Sequence, residues 1–410
     1  MSTRDQDKPP GPLAAFAFTS FRFQFGADLC VAWALEMEVL ILGWYVLVET
    51  DSAFLLALIG VARFGGTLLT PFIGSIADRL PRKGMLVALR GLFATFALVL
   101  MTLAWTGLLA PWQAFVTATL TGLIRPADMM LRQSLIADSV PPSTLLNAMA
   151  FARTTLDSAR IVGAIAGASL MATLGIGTAY LAVAILYLVS MVASLGIRPQ
   201  SQSQRTQGDQ GESRPLSDLV EGLRYVATSV RIQLLLTLAF LVNLSGLCIT
   251  GGLLPLVARD IYGMAEVGLG FLVATFAGGA LVGSLLIATV MRAVRGERLM
   301  LSCVVVWHAI MVWFALNEHP GIGFVLLALI GLLSSFVMVP LSSVLLIATK
   351  AEFRGRIMGL RQLAVVSLPL GLLLAGALVD PFGVGPTLGF IASIGLVSGL
   401  ALHIAWWRLT

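Results

Sequence analysis

Residues 74–83 read Gly74-Ser-Ile-Ala-Asp78-Arg79-Leu-Pro-Arg82-Lys83, a dense charge cluster between two long apolar runs. Residues 53–73 carry one charge, Arg63, and residues 84–124 carry one more, Arg90. A short basic loop between two apolar segments is typical of the cytoplasmic side of a protein that crosses the membrane many times. The loop therefore predicts an integral membrane protein.

The composition of the whole chain agrees with this prediction. Of its 410 residues, 58% are hydrophobic and only 11% are charged, whereas soluble domains carry about 25% charged residues. The net charge of +5 does not indicate nucleic-acid binding, because the basic residues lie in short loops and not in one patch with aromatic residues. The three cysteines are far apart in apolar runs, so we expect packing residues and no metal site or cofactor.

Twelve apolar runs are long enough to cross a bilayer, since about 20 helical residues span its hydrocarbon core. They lie near 24–47, 53–74, 85–106, 112–134, 145–172, 177–197, 232–257, 267–291, 299–317, 322–348, 356–379 and 386–407. The sequence therefore predicts an all-α integral membrane protein with twelve transmembrane helices in two six-helix bundles. The predicted domains are a tail (1–23), a first bundle (24–197), a linker (198–231), a second bundle (232–407) and a C-terminus (408–410).

The charges of the connecting loops set the orientation. Basic residues fall in the tails and the even-numbered loops, and the other loops carry mostly acids such as Asp51 and Asp380. This asymmetry places both termini in the cytoplasm, and the polar stretch 1–12 is then a cytoplasmic tail. In the linker, apolar residues recur at helical spacing from Leu216 to Val230, which predicts an amphipathic helix at the cytoplasmic membrane interface.

Two parts of the sequence echo each other at a constant offset. Arg153, Gly163 and Gly175 in span 5 recur as Arg361, Gly371 and Gly383 in span 11. Together with the span count, this echo predicts that the two bundles are repeats around a central cavity.

The 74–83 loop resembles the signature loop of the major facilitator superfamily, G-x-x-x-D-R-x-G-R-K, although Pro81 replaces its second glycine. The resemblance implies a transporter that works by rocking alternating access. It implies that this loop meets the start of span 11 and closes the cytoplasmic side, although the loop could also serve orientation alone. The implied gate residues are Gly74, Asp78, Arg79, Arg82, Lys83, Arg354 and Arg356.

Two further segments, Asp138-Ser-Val-Pro-Pro and 353–359, resemble bacterial multidrug and siderophore exporters of the drug:proton antiporter type. The resemblance implies proton-coupled export of small amphipathic molecules by a monomer in the bacterial cytoplasmic membrane. Its partners would be a small-molecule substrate, protons and the lipid bilayer. Span 5 has the glycine spacing of that branch in 163–167 but lacks its proline, which weakens the assignment.

Two other functions stay open at this point. A metabolite symporter or facilitator would use the same scaffold, and only direction and coupling would separate it from an exporter. A non-transporting membrane sensor would keep the fold but normally couples to an output domain. The sequence contains no G-x-x-x-x-G-K-[ST] phosphate-binding loop, so a gradient is the expected energy source.

Ionisable groups inside apolar spans cost several kcal/mol and therefore suggest function. Glu36 and Arg63 are predicted near the bilayer midplane on neighbouring helices, where an ion pair could form. A carboxyl group balanced between desolvation and a nearby arginine can bind and release a proton as the cavity changes sides. Glu36 and Glu38 lie about 80° to either side of Asp28, so one can face the cavity while the other contacts a helix. We predict Glu36 as the proton site, with Asp28 second.

Other intramembrane residues are candidates with a strong structural alternative. Two triads share one helix face each, and they favour a structural or gating role over substrate contact because both lie toward the cytoplasmic ends. Three residues of the second bundle are candidate substrate contacts, although helix packing explains them as well. The triads are Arg125, Asp128 and Arg132, and Arg153, Asp157 and Arg160, and the candidate contacts are Asn243, Trp307 and His308.

Overall fold

The computed structural model describes residues 13–69, 81–198, 215–290 and 296–409. Apart from short 3-10 turns and the connecting loops, these residues form helices. They are α1 (Thr19–Thr50), α2 (Ala53–Ala62), α3 (Arg82–Trp105), α4 (Pro111–Ser139), α5 (142–174), α6 (176–195), α7 (Pro215–Ala227), α8 (Val230–Ile261), α9 (Glu266–Val290), α10 (Gly296–Leu316), α11 (Pro320–Ala348), α12 (Arg354–Phe382) and α13 (Val384–Leu409).

Within these ranges, nine continuous helices are long and apolar enough to cross a membrane, and one of them comprises both α5 and α6. α4 has spanning length but carries Arg125, Asp128 and Arg132. α2 is the first part of a span whose remainder, 70–80, lies outside the described residues. With α2 and α4 included, the prediction of an all-α membrane protein with twelve transmembrane helices is confirmed. We call the side where α1 begins the predicted cytoplasmic side, and the side where it ends the predicted external side.

The junctions of α5 with α6 and of α12 with α13 have the same backbone conformation. Gly175 has φ 79° and ψ 168°, and Gly383 has φ 86° and ψ 167°. Only glycine adopts these angles without strain, because a Cβ atom would clash with the backbone. The two glycines are equivalent positions of the echo in the sequence, so the repeat extends to local geometry.

The two bundles pack on each other mainly through α5 against α9 and α2 against α12. A Cβ atom at Gly270 of α9 would collide with Ala164 and Ala168 of α5, and one at Gly376 of α12 would collide with Ala57 of α2. These small residues lie in the external halves of their helices. The backbones therefore approach closely on the predicted external side.

α2 and α12 are each interrupted where one continuous span was predicted. α2 ends at Ala62 and a 3-10 turn follows at Gly65–Leu69, because Gly66 packs against the backbone of α4 at Gly122. α12 is interrupted at residues 365–366, since Pro369 has no N–H to donate to the carbonyl of Val365. α8 contains three π-helical segments, Val242–Leu247, Ile249–Leu253 and Val257–Ile261.

The linker helix α7 lies against the predicted cytoplasmic end of α12. Arg356 Nη2 is 3.0 Å from the Glu221 carboxylate, and Tyr225 stacks on Phe353 with ring centroids 4.2 Å apart. α7 thus contacts the segment where the sequence predicts a gate.

Candidate functional site: charged clusters between the helices

Glu36 lies on the wall of a small cavity between α1, α4 and α5. Its Oε1 is 3.6 Å from Nη2 of Arg125, and the two side chains are 23% and 26% exposed. Ala32, Met129 and Leu156 line the same cavity. Because the Glu36 face of α1 turns toward α4 and α5, Glu36 pairs with Arg125 and not with Arg63. Both side chains are about a quarter exposed, so water or a proton can reach the pair.

Arg63 follows the last residue of α2 and is partly buried. Its backbone packs against Gly122 of α4, one turn before Arg125. It lies within electrostatic reach of Arg125, Glu36 and Glu38. Among the residues that the structure describes, no carboxylate or hydrogen-bond acceptor contacts its guanidinium group.

Glu38 is buried between α1 and α6 and does not share the cavity of Glu36. Tyr187 of α6 donates a 2.7 Å hydrogen bond to Glu38 Oε2. Tyr180, about two helical turns earlier on the same face of α6, is equally buried, and its hydroxyl group has no hydrogen-bond partner within the described ranges. The two glutamates of α1 therefore divide as the helical wheel allowed: one lines a cavity and the other contacts a helix.

A second cluster is centred on Arg90 of α3, which is fully buried. Arg90 Nη2 is 2.5 Å from Asp28 Oδ1 on α1, and its Nε is 3.3 Å from Asp128 Oδ1 on α4. Its Nη1 donates a 2.6 Å hydrogen bond to Ser194 of α6. Arg132 Nε lies 3.3 Å from the same Asp28 oxygen. This network joins four helices of the first bundle through paired, desolvated charges.

The sequence analysis did not include Arg90, Ser194 or Tyr187 in the site. The signal for Arg90 was present, because it is the one charge in residues 84–124 and such a charge needs a partner. Which helix supplies that partner depends on relative rotation, which a single sequence does not contain. The members of the α4 triad therefore find their partners on other helices and not on each other.

The α5 charges are less enclosed. Arg153 Nε is 3.3 Å from Asp157 Oδ2, with Arg153 mostly exposed. Arg160 is exposed, and its guanidinium group contacts no carboxylate in the part of the chain that the structure describes. Of the two neighbours of Asp157 on its helix face, Arg153 forms an ion pair with it, and Arg160 forms none among the described residues.

Part of the predicted cytoplasmic gate can be described. Arg82 Nη1 is 3.1 Å from Asp138 at the end of α4, and Lys83 Nζ donates a 2.6 Å hydrogen bond to the carbonyl of Leu195. Arg354 donates to the carbonyl of Leu346 at 3.3 Å, and Arg356 pairs with Glu221 as described above. The remaining predicted gate residues, Gly74, Asp78 and Arg79, lie outside the described residues.

The candidate contacts of the second bundle are buried among helices. His308 Nε2 is 2.9 Å from the hydroxyl of Ser245, and its Nδ1 is 2.9 Å from the carbonyl of Val304. Trp307 is fully buried, and Asn243 donates to the carbonyl of Ala239 at 2.8 Å. In the described ranges, no group of three or more His, Cys, Asp or Glu residues could hold a metal ion.

The predicted external side carries a charged contact between the bundles. Arg259 of α8 places Nη2 at 2.8 Å from Asp51 Oδ1, and its Nη1 donates a 3.0 Å hydrogen bond to the carbonyl of Leu47. Leu47 belongs to the last turn of α1, so Arg259 also meets the negative end of that helix dipole.

An apolar cavity of about 90 Å³ separates the bundles where α2 and α12 are interrupted. Val61, Phe64, Thr67, Val365 and Pro369 are among its lining residues. It lies on the cytoplasmic side of the close contacts at Ala57 and Gly376.

The sequence profile of the Major Facilitator Superfamily matches residues 25–365. The chain belongs to this superfamily. As a superfamily member it is a transmembrane transporter, which confirms the family and the membrane fold expected from the 74–83 loop.

Curated relatives of this superfamily member include a multidrug efflux pump and a staphyloferrin A transporter. The chain is 29% identical to the multidrug efflux pump Tap of Mycobacterium tuberculosis over 291 residues, which are 70% of this chain and 68% of Tap. It is 23% identical to the staphyloferrin A transporter of Staphylococcus aureus over 349 residues, 84% of this chain and 85% of that protein.

Solved structures of the superfamily share the fold at low sequence identity. A D-xylose-proton symporter superposes with a TM-score of 0.72 at 12% identity, covering 93% of this chain and 96% of the other. The POT family transporter PepTSo superposes with a TM-score of 0.72 at 13% identity, covering 95% and 98%. At these identities the likeness describes architecture and not cargo.

Proposed function

We propose that this transporter exports small amphipathic molecules in exchange for protons, by rocking of its two bundles around a central cavity. The Glu36–Arg125 pair carries this proposal, because a carboxylate and an arginine that line a cavity inside the membrane can be separated by protonation. The name of the Tap relative supports export of drug-like cargo, and the name of the staphyloferrin A transporter supports siderophore-like cargo.

Alternating access is supported by the uneven packing between the bundles. Close backbone contacts and the Asp51–Arg259 pair lie on the predicted external side, and the apolar cavity lies on the other side of those contacts. Such an arrangement corresponds to a transporter closed externally, and rocking would exchange the two ends. Both termini would then be cytoplasmic in a bacterial inner membrane, with the chain acting as a monomer.

The predicted gate would complete the cycle. Residues 74–83 would meet α12 near Arg354 and Arg356 when the cytoplasmic side closes, and the α7 contact with Arg356 would have to adjust. The Arg82–Asp138 ion pair can persist in both states of the cycle, because both residues belong to the same bundle.

Proton movement in energised inverted vesicles tests this function. A panel of lipophilic cations, siderophores and organic acids is added to vesicles that contain the transporter or its Glu36→Gln variant. We expect substrate-triggered proton release that is lost in the variant. Thr95→Ser, at an exposed position of α3, controls for the expression and vesicle preparation of a variant. It should behave as the unaltered protein.

The alternative on the same scaffold is a symporter or facilitator for a metabolite. Substrate flux that persists without a proton gradient, together with no proton signal, would contradict antiport and make Glu36 a structural residue. Proton movement across the membrane in the same direction as the substrate would favour symport.

A further inference from the structure

Trp407, near the end of α13, lies on the lipid-facing side of that helix. Val397, Leu400, Ile404 and Trp407 are all exposed, and their spacing of three or four residues places them on one helix face. In a membrane such an apolar face contacts lipid chains. Trp407 is the member of this face nearest the predicted cytoplasmic side, where tryptophan side chains sit at the level of the lipid headgroups.

Arg298, near the start of α10, belongs to a similar face. Ser302, Val306, Ala309 and Trp313 are exposed at the same helical spacing, and Arg298 precedes them by one turn. α10 packs directly against α13. The outward faces of the two helices therefore adjoin, and Arg298 and Trp407 meet at their predicted cytoplasmic end.

The Trp407 ring is held at its edge and carries a cation on its face. Its indole N–H donates a 3.0 Å hydrogen bond to Nε2 of His403, one turn earlier in α13. The guanidinium carbon of Arg298 lies 4.5 Å from the ring centroid, which is within the range of a cation–π contact. The guanidinium group is thus fixed at the boundary between protein and lipid.

The positive charge of Arg298 is not matched by an acid. Its neighbour Glu297 is engaged, because it pairs with Arg231, whose guanidinium carbon lies 5.7 Å from the ring centroid of the buried Trp406. Among the described residues, no carboxylate contacts Arg298.

Arg408, which follows Trp407, is also exposed and has no carboxylate in contact within the described ranges. These two helix ends therefore present a net positive charge.

The surroundings describe the ligand that would supply the anion. A guanidinium group with one face on an aromatic ring keeps its N–H groups free along its edge, and they match two oxygens of a phosphate group. The exposed apolar faces of α10 and α13 continue from this point into the membrane and can hold hydrocarbon chains. A net positive charge at the interface favours a lipid with a net negative headgroup over a zwitterionic one.

We propose that the outward groove between α10 and α13 binds one anionic phospholipid of the predicted cytoplasmic leaflet. Its phosphate group is held by Arg298 on the Trp407 platform, and its acyl chains lie along the exposed faces of the two helices. This site is separate from the charged clusters of the first bundle, and it does not depend on the cargo or on proton coupling.

Native mass spectrometry of the purified full chain tests the proposal. The protein in detergent is equilibrated with equal amounts of phosphatidylglycerol and phosphatidylcholine that carry the same acyl chains, and the ratio of the two lipids in the singly lipidated protein is measured. We expect about fivefold more phosphatidylglycerol, which corresponds to the attraction of one interfacial arginine for an anionic lipid. Arg298→Gln should bring the ratio close to one.

The platform is tested by a matched pair of tryptophan variants. Trp407→Leu keeps an apolar side chain but removes the aromatic face under Arg298, so it should lower the ratio at least twofold. Trp112→Leu, at an exposed position on the predicted external side, should leave the ratio unchanged. Arg22→Gln removes a positive charge from the exposed start of α1 and should also leave it unchanged.

Equal binding of the two lipids to the unaltered protein would overturn the proposal, whether or not the variants fold. The same fall in Arg22→Gln as in Arg298→Gln would also overturn it, because the preference would then follow total charge and not this site.

Discussion

Arg259 and Asp51, 2.8 Å apart, join the two bundles across the predicted external side. Asp51 is 84% exposed, so the pair contributes at most about 1 kcal/mol. The hydrogen bond from Arg259 to the carbonyl of Leu47 adds to it and points along the axis of α1. The contact is thus suited to a closure that must open in every cycle.

Asp51→Asn should weaken this closure. Asn tolerates the left-handed backbone at this position, where φ is 48°, so the variant removes charge without strain. We expect a two- to fivefold faster reaction of an impermeant maleimide with a cysteine introduced at Ala57, which is buried between the bundles. Arg259→Gln should have the larger effect because it also loses the Leu47 contact.

Asp260→Asn is the matched control for that experiment. Asp260 also contacts Arg259, at 2.6 Å, but belongs to the same helix. An equal acceleration in Asp260→Asn would show that the external contact does not hold the bundles together.

Arg90→Gln should destabilise the protein strongly. It leaves Asp28 and Asp128 buried with fewer donors, and breaking a buried charge network by removing one member costs about 3–5 kcal/mol. Unfolding in mixed micelles measures this loss, with Arg82→Gln for comparison. The Arg82–Asp138 pair is about a quarter exposed, so its loss should cost about 1 kcal/mol or less. Similar effects of the two variants would contradict the role of Arg90 as the centre of the network.

Tyr187→Phe should cost about 1–3 kcal/mol, because it removes the hydroxyl group that donates to the buried carboxyl of Glu38. Tyr180→Phe should be neutral or slightly stabilising, since the Tyr180 hydroxyl group is buried without a partner among the described residues. Thermal unfolding of the two variants, which lose the same atom from the same helix, provides the comparison. A greater loss in Tyr180→Phe would refute this assignment.

Gly279→Ala should loosen the packing of α9 against α11. A Cβ atom at Gly279 would collide with the carbonyl oxygen of Ala328, whereas one at the adjacent Gly278 meets nothing within 4 Å. We expect a loss of about 1–3 kcal/mol for Gly279→Ala and a gain or no change for Gly278→Ala, measured by thermal unfolding. The reverse order would mean that these helices are rotated relative to the described packing.

The sequence predicts the span count and the repeat well, because both depend on local composition. Gly175 and Gly383 are visible as an echo and share the dihedral angles of the two junctions. The interruption of α2 was not predictable, since it follows from a contact between Gly66 and Gly122 on different helices. For the same reason the helical wheel left Glu36 and Glu38 equivalent, and only the positions of α4 and α6 distinguish them.

If Glu36 carries one proton inward in each cycle, as proposed, the exchange has an electrical consequence. A cargo that leaves the cell as a monovalent anion would carry a negative charge outward, and the interior of a bacterium is negative. Each such charge that moves outward through a potential of 100 mV releases about 2.3 kcal/mol. Exchange for one entering proton moves two charges in the same electrical sense and doubles that voltage-dependent driving force. Transport of this kind generates a current, and a potassium ionophore that abolishes the membrane voltage would slow it even at an unchanged pH difference.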